Sequence, residues 1–261
     1  MRLAGSAHDK NFRLALHDQL VSTNDEALSR ARAGDQGQLW VVAETQSGGR
    51  GRNGRNWSSP PGNLYASLLL IDPAPACQAA ELGFVVSVAL AEALREILAG
   101  DSRLAIKWPN DILFAGAKLA GILLESAHLP DGRLACVAGV GVNCNSHPND
   151  ALYKTTDLGV ILGKISAPET LFEQLSAQMV YWLGVWRQGG DFASIRERWL
   201  SLAAGIGKPV KVARPTGPLE GVFRTIDETG RLVLDCGPVE VLVEAGDVFL
   251  LAQPGGARAG L

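Results

Sequence analysis

Apolar runs separated by glycine, proline or short polar turns predict the elements of the first four-fifths of the chain. Leu39–Thr45 and Leu64–Ile71 have the length and the residue types of buried strands. Gln78–Leu98 follows a proline cluster and repeats apolar residues with helical period, which predicts an amphipathic helix. A short helical run is expected over Asp25–Ala33, behind Ser22, Thr23 and Asn24 as capping candidates. Further strands and helices are predicted, in order, over Leu104–Trp108, Asp111–Phe114, Lys118–Glu125, Leu134–Asn143, Pro168–Gln188 and Phe192–Leu202.

The pattern changes around Gly205–Gly207. From Lys208 to Leu251 the chain becomes short alternating segments joined by turns at Asp227–Gly230 and Cys236–Pro238, which predicts a small antiparallel, barrel-like module. Residues 253–261 lack periodicity and are predicted to be a disordered tail. We therefore expect a main domain over 1–205 and a small β domain over 206–252.

Composition narrows the classes of protein. The 261 residues are 47% hydrophobic with a formal net charge of −3, which excludes a largely disordered chain and a uniformly basic nucleic-acid-binding surface. The longest uncharged stretch of interest, Leu82–Ala91, is too short to span a bilayer, and no signal peptide is apparent. Four cysteines without a CxxC pair favour buried, reduced thiols in a cytoplasmic protein over a zinc site.

The most informative segment is Gly48–Trp57, GGRGRNGRNW, directly after a predicted strand. Arg50, Arg52 and Arg55 alternate with glycines, so a flexible backbone carries several side chains suited to bidentate contact with carboxylates or phosphates. Such a loop can close over an anionic ligand. Taken alone, a solvated basic loop or an RNA-contacting segment explains it equally well. The spacing does not match a Walker A loop.

Three further segments carry candidate chemistry. Lys107–Asp111 (KWPND) is followed by Lys118–Gly121 (KLAG), and Gly139–Asn143 (GVGVN) ends a strand with glycines and an amide. Each has an ordinary interpretation by itself: a turn aspartate, an exposed lysine at a strand start, a buried strand end. The segments indicate a function only when they are considered together.

Together with Ser22–Asn24, these segments resemble the catalytic core of biotin–protein ligases, over roughly residues 15 to 250. Such enzymes are similar in fold to lipoate–protein ligases and class II aminoacyl-tRNA synthetases. The resemblance implies an α+β fold: a mixed sheet with flanking helices, followed by a small SH3-like β-barrel. It also implies ATP-dependent conversion of biotin to biotinyl-5'-AMP with release of pyrophosphate, then transfer of biotin to a lysine of a biotin carboxyl carrier domain.

The resemblance also implies roles for individual residues. Lys118, Arg52 and Asp111 would be catalytic. The biotin-binding residues would be Ser22, Thr23, Asn24, Gln46, Gly49, Arg50, Trp57, Lys118, Gly121 and Gly139. The residues binding ATP or the adenylate would be Arg52, Arg55, Trp57, Asn110, Lys118 and Asn143. Mg²⁺ would accompany ATP, with no metal ligands assigned, and Asp111 would lie near either the magnesium or the acceptor lysine.

Some alternatives stay open at this point. A lipoate–protein ligase or a non-catalytic biotin sensor would share the fold, and a homodimer is a candidate assembly. Only 21 residues precede Ser22, too few for the helix-turn-helix domain found in some members of the family, so we expect no sequence-specific DNA binding. Asn53 stands where a further arginine is common in the family, which leaves the loop one positive charge fewer.

Overall fold

A computed structural model describes residues 1–149, 153–189, 192–214 and 216–251. Its larger sheet has the strand order β1-β2-β3-β7-β6-β5-β4. Only β1 and β2 pair in parallel among these strands, so the sheet is mixed, as expected. The strands are β1 (Arg13–Leu20), β2 (Leu39–Gln46), β3 (Leu64–Ile71), β4 (Leu104–Lys107), β5 (Asp111–Phe114), β6 (Ala117–His128) and β7 (Leu134–Val142).

Helices cover both faces of this sheet. The helices are α1 (Gly5–Asp9), α2 (Thr23–Arg32), α3 (Leu82–Ile97), α4 (Leu158–Leu162), α5 (Pro168–Gly189) and α6 (Ala193–Ser201). On one face, α3 packs against α5 and α6 over the main hydrophobic core, and on the other α2 packs across β2, β3 and β7. Because β3 is covered on both sides, nearly all of it is buried, which explains its continuous apolar sequence.

Alternation along β7 places the glycines of GVGVN on the α2 face. Ala138 and Val140 belong to the core beneath α3 and α5, whereas Val137 belongs to the smaller cluster beneath α2. Since successive strand residues point to opposite faces, Gly139 and Gly141 continue the row of Val137 beyond the end of α2. With no side chains of their own, these glycines leave room there for other side chains to lie against the sheet beside a pocket.

The C-terminal segment forms a second, five-stranded antiparallel sheet in the order β11-β10-β9-β8-β12. Its strands are β8 (Pro209–Ala213), β9 (Leu219–Ile226), β10 (Leu232–Asp235), β11 (Glu240–Val243) and β12 (Asp247–Leu250). It packs against the end of β4 and against α6: Trp108, directly after β4, donates a buried hydrogen bond from Nε1 to the Gly230 carbonyl at 3.0 Å, and Arg196 on α6 donates a part-buried one from Nε to the Ile226 carbonyl at 2.7 Å. This docking brings β12 to the edge of that pocket.

The predicted strands and long helices are confirmed within a few residues at their ends, although the first part of the predicted helix Gln78–Leu98 is a 3-10 turn over Ala76–Glu81. The sequence interpretation omitted α1, β1 and α4. Ala76–Ile97 is long and apolar enough to cross a membrane by length and composition, but α3 lies within the core, so its composition is that of a core helix. The predicted tail lies outside the described residues.

The expectation of buried thiols is only half right. All four cysteines are free, and Cys136 and Cys144 are buried, but Cys77 is exposed and Cys236 is half-buried. Cys77 is exposed because it lies in the 3-10 turn before α3 rather than on the buried face of that helix.

Candidate active site

A single pocket collects the motifs on the open face of the sheet. Its walls are the start of α2, the end of β2, the Gly/Arg loop (Gly48–Trp57), strands β5 to β7, and β12 of the C-terminal sheet. All of the predicted site residues except Gly49 and Asn143 line it: Ser22, Thr23, Asn24, Gln46, Arg50, Arg52, Arg55, Trp57, Asn110, Asp111, Lys118, Gly121 and Gly139.

One end of the pocket is a partly buried network of hydrogen-bonded polar groups, most of which are uncharged. Ser22 caps α2, as predicted, by accepting from the Asp25 amide at 3.4 Å. Gln46 Oε1 accepts from both the backbone amide and the hydroxyl of Thr23, at 2.9 and 3.1 Å. Asn24 Nδ2 donates to Glu125 at 2.7 Å, and the Ser67 hydroxyl lies 2.6 Å from Asn24 Oδ1. These contacts fix amide and hydroxyl groups in place, which suits recognition of a neutral, hydrogen-bonding ligand.

The glycines of β6 and β7 form a platform on which Trp57 lies. A Cβ added to Gly141 would come within 2.6 Å of the indole, and one added to Gly121 within 3.0 Å. Only glycine therefore allows the ring to lie this close to the sheet. The buried Trp57 Nε1 has no hydrogen-bond partner among the described residues, so no hydrogen bond from its ring nitrogen holds the indole in place.

Arg50 anchors the loop to the protein. Its guanidinium donates to both oxygens of Asp25 at 2.6 and 2.7 Å and also reaches Glu125 at 3.3 Å. The hydrogen bonds from Arg50 hold the pKa of Asp25 below its usual value. Further along, Asn53 has φ 57° and ψ 29°, a left-handed conformation that asparagine tolerates better than arginine. Asparagine at this position, where the family commonly has arginine, therefore fits the left-handed turn of the loop.

The other two loop arginines point to the C-terminal sheet. Arg55 forms an ion pair with Asp247, and Arg52 Nη1 lies 3.8 Å from the same carboxylate. Arg52 also donates to the Gly246 carbonyl at 3.2 Å and to Asn110 Oδ1 at 3.3 Å. Burial lowers the pKa of Arg52 from its ordinary value. The C-terminal sheet thus holds the loop across the mouth of the pocket.

The other end of the pocket is cationic. Lys118 Nζ lies 2.6 Å from one oxygen of Asp111, and Lys107 Nζ lies 3.1 Å from the other. Lys118 also donates to the Tyr153 hydroxyl at 3.3 Å. Asp111 is one carboxylate between two ammonium groups, and Arg52 and Arg55 lie near it. This end therefore suits a ligand with several negative charges.

Two predicted residues lie outside this pocket. Gly49 lies near the start of the loop, where an added Cβ would come within 2.6 Å of the Trp57 carbonyl oxygen, so this position requires glycine. Asn143 lines an adjoining cavity with Trp57, Lys118 and Tyr153. Its side chain donates to the Thr156 carbonyl at 3.0 Å and so holds the segment after β7.

The sequence interpretation missed several pocket residues. Lys107 lies within the KWPND motif, but no site role was predicted for it. The presence of a second cation beside the aspartate was a signal that could have identified it. Ser67 and Glu125 do not line the pocket themselves but hydrogen-bond to Asn24, which does. Both lie on the face of their strands that is turned to α2, but an isolated serine or glutamate carries no local signal. Tyr153 and Asp247 come from distant segments, which no motif identifies. Among the residues that the structure describes, no group of three or more His, Cys, Asp or Glu side chains is placed to hold a metal ion.

Comparison with known proteins identifies the class of protein to which this fold and pocket belong. The sequence model of the Biotin/lipoate A/B protein ligase family matches residues 18–145, and that of the Biotin protein ligase C terminal domain matches residues 205–251. The solved biotin protein ligase from Aquifex aeolicus in complex with biotin and ATP superposes with a TM-score of 0.78 at 25% identity, covering 92% of this chain and 99% of that one.

Full-length relatives narrow the class further. A biotin–[acetyl-CoA-carboxylase] ligase of Paracoccus denitrificans is 39% identical over 233 residues, 87% of this chain and 96% of the relative. The corresponding ligase of Mycobacterium tuberculosis is 34% identical over 245 residues, 89% of this chain and 87% of the relative. The chain belongs to the biotin protein ligase family, and the α+β fold with a C-terminal SH3-like sheet is confirmed.

Proposed function

We propose that this protein activates biotin with ATP to form biotinyl-5'-AMP and pyrophosphate, then transfers biotin to a lysine of a biotin carboxyl carrier domain. One observation carries the proposal: a single pocket has neutral hydrogen-bonding groups at one end and Lys107, Lys118 and Arg52 at the other. Biotin has a matching polarity, with a ureido ring at one end and a carboxylate at the other.

In the first step a biotin carboxylate oxygen attacks the α-phosphorus of ATP. The bond from that phosphorus to the bridging oxygen breaks, and pyrophosphate leaves with the bonding electrons. Two anions must approach each other, so fixed positive charge lowers the barrier. Lys118 would contact both the carboxylate and the α-phosphate, and Arg52 would neutralise the phosphate oxygens. In the second step the acceptor amine attacks the acyl carbon of the mixed anhydride, AMP leaves, and the amine loses a proton.

The site residues divide along the pocket. We assign biotin binding to Ser22, Thr23, Asn24, Gln46, Gly49, Arg50, Trp57, Lys118, Gly121 and Gly139. We assign ATP and adenylate binding to Arg52, Arg55, Trp57, Asn110, Lys118 and Asn143, and catalysis to Lys118, Arg52 and Asp111. Arg50 and Gly49 would act by fixing the loop, since Arg50 is held by two carboxylates and Gly49 packs behind Trp57.

Mg²⁺ would enter with ATP, because the ion is commonly bound by substrate phosphates with only one or two carboxylates. The carboxylates that line the pocket, Asp111 and Asp247, are both paired with cations. They fit an ion that is held mainly by the ATP phosphates and do not form a metal site by themselves. The ion would supply charge neutralisation at the phosphates. We further propose a catalytic domain over 1–205, a C-terminal domain over 206–252 and a cytoplasmic location, with a homodimer as a candidate assembly.

Lys118→Ala tests the assignment. We expect biotin-dependent pyrophosphate release to fall by about 10²–10³-fold, the range found when one charge-stabilising donor is removed from a preorganised site. Lys154→Ala is the matched control, because Lys154 is exposed and lies outside the main pocket although its carbonyl pairs with the Lys118 amide. Unchanged turnover in Lys118→Ala, with melting temperatures equal to wild type, would contradict the role given to this lysine.

A further inference from the structure

The ammonium group of Lys118 lies close to two aromatic rings and one carboxylate. Its Nζ is 5.3 Å from the ring centroid of Trp57 and 5.2 Å from that of Tyr153, and it is 2.6 Å from the nearer carboxylate oxygen of Asp111. The side chain is only 12% exposed. Aromatic faces attract cations at this distance, and the attraction strengthens when water is excluded.

The segment that follows Tyr153 is hydrogen-bonded to the backbone of Lys118, and Tyr153 itself contacts the Lys118 side chain. The Lys118 amide donates to the Lys154 carbonyl at 2.8 Å, and the Thr156 amide donates to the Lys118 carbonyl at 3.0 Å. Asn143 holds the same segment through the Thr156 carbonyl. The residues after Tyr153 therefore form a short parallel bridge with the start of β6. This pairing fixes the tyrosine beside Lys118 without any contact to a ligand.

The Tyr153 ring reduces the repulsion between two lysines at the cationic end of the pocket. Lys107 and Lys118 both approach Asp111, so two like charges lie close together around one carboxylate. The Tyr153 ring is within reach of both, at 5.4 Å from Lys107 Nζ and 5.2 Å from Lys118 Nζ. Its negative face offsets part of the repulsion. The hydroxyl contributes less, because its 3.3 Å distance from Lys118 Nζ is long for a charge-assisted bond.

We propose that Tyr153 is a positioning residue for the adenylation step: its ring, together with that of Trp57, confines the Lys118 ammonium to a position from which it can contact both the biotin carboxylate and the α-phosphate. A free lysine side chain has four rotatable bonds and loses considerable entropy when it is fixed. Placing it in advance removes that cost from the transition state. The inference rests on the role proposed above for Lys118.

Two substitutions separate the ring from the hydroxyl. Tyr153→Phe keeps the ring and should retain at least half of the wild-type kcat for biotin-dependent exchange of pyrophosphate into ATP. Tyr153→Leu removes the ring at similar bulk and should lower kcat about tenfold, the scale of a partly desolvated cation–π contact. The KM for biotin should change by less than about threefold, since the neutral end of the pocket is untouched. Tyr181→Leu is the control, because Tyr181 is exposed on α5.

A double-mutant cycle tests whether Tyr153 acts through Lys118. In single-turnover reactions Tyr153→Leu should cost about tenfold in the wild-type background and less than about twofold in Lys118→Ala. Equal costs in the two backgrounds would overturn the proposal, as would wild-type kcat in Tyr153→Leu or equal damage from Phe and Leu. Absence of biotin-dependent exchange in the wild-type protein would instead refute the proposed function, so the two failures are distinguishable.

Discussion

Replacing Gly139 with alanine tests the neutral end of the pocket directly. A Cβ at this position would lie 2.3 Å from Asn24 Oδ1 and 3.0 Å from its Cγ. An ordinary carbon–oxygen contact is about 3.3–3.6 Å, so the amide must withdraw by about 1 Å. Asn24 is only 4% exposed and therefore has little room to move without breaking its hydrogen bonds.

The size of the effect follows from those bonds. Asn24 contacts Ser67 at 2.6 Å, Glu125 at 2.7 Å and the Leu123 carbonyl at 3.3 Å. Each is worth about 0.5–1.5 kcal/mol, and a buried polar group left unsatisfied costs about 1–3 kcal/mol. Alanine regains about 0.5–1 kcal/mol over glycine in a strand. We therefore expect the free energy of unfolding to fall by about 1–3 kcal/mol.

Biotin binding should suffer more than stability. A displacement of about 1 Å at a ligand-contacting group can cost on the order of 10²-fold in function, so we expect the Kd for biotin to rise about 10–100-fold. Calorimetric titration gives the Kd, and urea unfolding gives the free energy. Gly184→Ala is the matched control: it lies on α5, an added Cβ meets no atom within 4 Å, and it should stabilise slightly without changing the Kd.

The two measurements can fail separately. A Kd within twofold of wild type, together with the expected loss of stability, would show that Asn24 does not contact biotin. An unchanged free energy of unfolding would show that the amide is not packed against Gly139 as the structure places it. In an Asn24→Ala background the Gly139→Ala change should cost little further, because the obstructing amide is gone.

The remaining predictions concern the loop and the thiols. Asp247→Asn removes the carboxylate that pairs with two loop arginines, so biotin affinity should stay within about twofold while release of biotinyl-AMP into solution, measured without acceptor, rises about 3–10-fold; equal losses of both would contradict a lid role. Cys77 should react with a thiol reagent in the native state, whereas Cys136 and Cys144 should react only on unfolding, as mass spectrometry of labelled peptides can determine. Burial raises the pKa of Cys144 to about 12 and that of Cys136 to about 11, from a value near 9 in the unfolded chain. Their contribution to the free energy of unfolding is therefore fully present below pH 9 and is lost as the pH rises from 9 through 11 and 12, because the unfolded chain loses these protons first. A free energy of unfolding that stays flat from pH 9 to 11 in the wild type, with no difference from Cys144→Ala, would contradict this account.

The sequence predicted best those parts of the site that depend on local patterns. The loop arginines, KWPND and the strand glycines were recognisable because each motif is contiguous, and alternation along β7 places Gly139 and Gly141 on one face. The cap at Ser22 was predictable for the same reason, since capping involves residues only three apart. Confirmation of most strands reflects strong apolar patterning over a buried sheet.

Contacts between distant segments were not predictable from one chain. Asp247 reaches Arg55 across 192 positions, and only the docking of the C-terminal sheet brings them together. β1 was missed because it is an edge strand whose residues are all exposed or half-buried, and because Ala15 between Leu14 and Leu16 interrupts the alternation of apolar and polar residues. The helix α4 was missed because it is only five residues long, although an Asp157 cap and a left-handed Gly163 delimit it.

Biotin-dependent release of pyrophosphate tests the central claim most directly. The protein would be given ATP and Mg²⁺ with labelled biotin or lipoate as the only added acid, followed by an apo biotin carboxyl carrier domain. We expect release of pyrophosphate with biotin, followed by transfer of the label to one lysine of the carrier. Release with lipoate alone, or tight biotin binding without release, would contradict it.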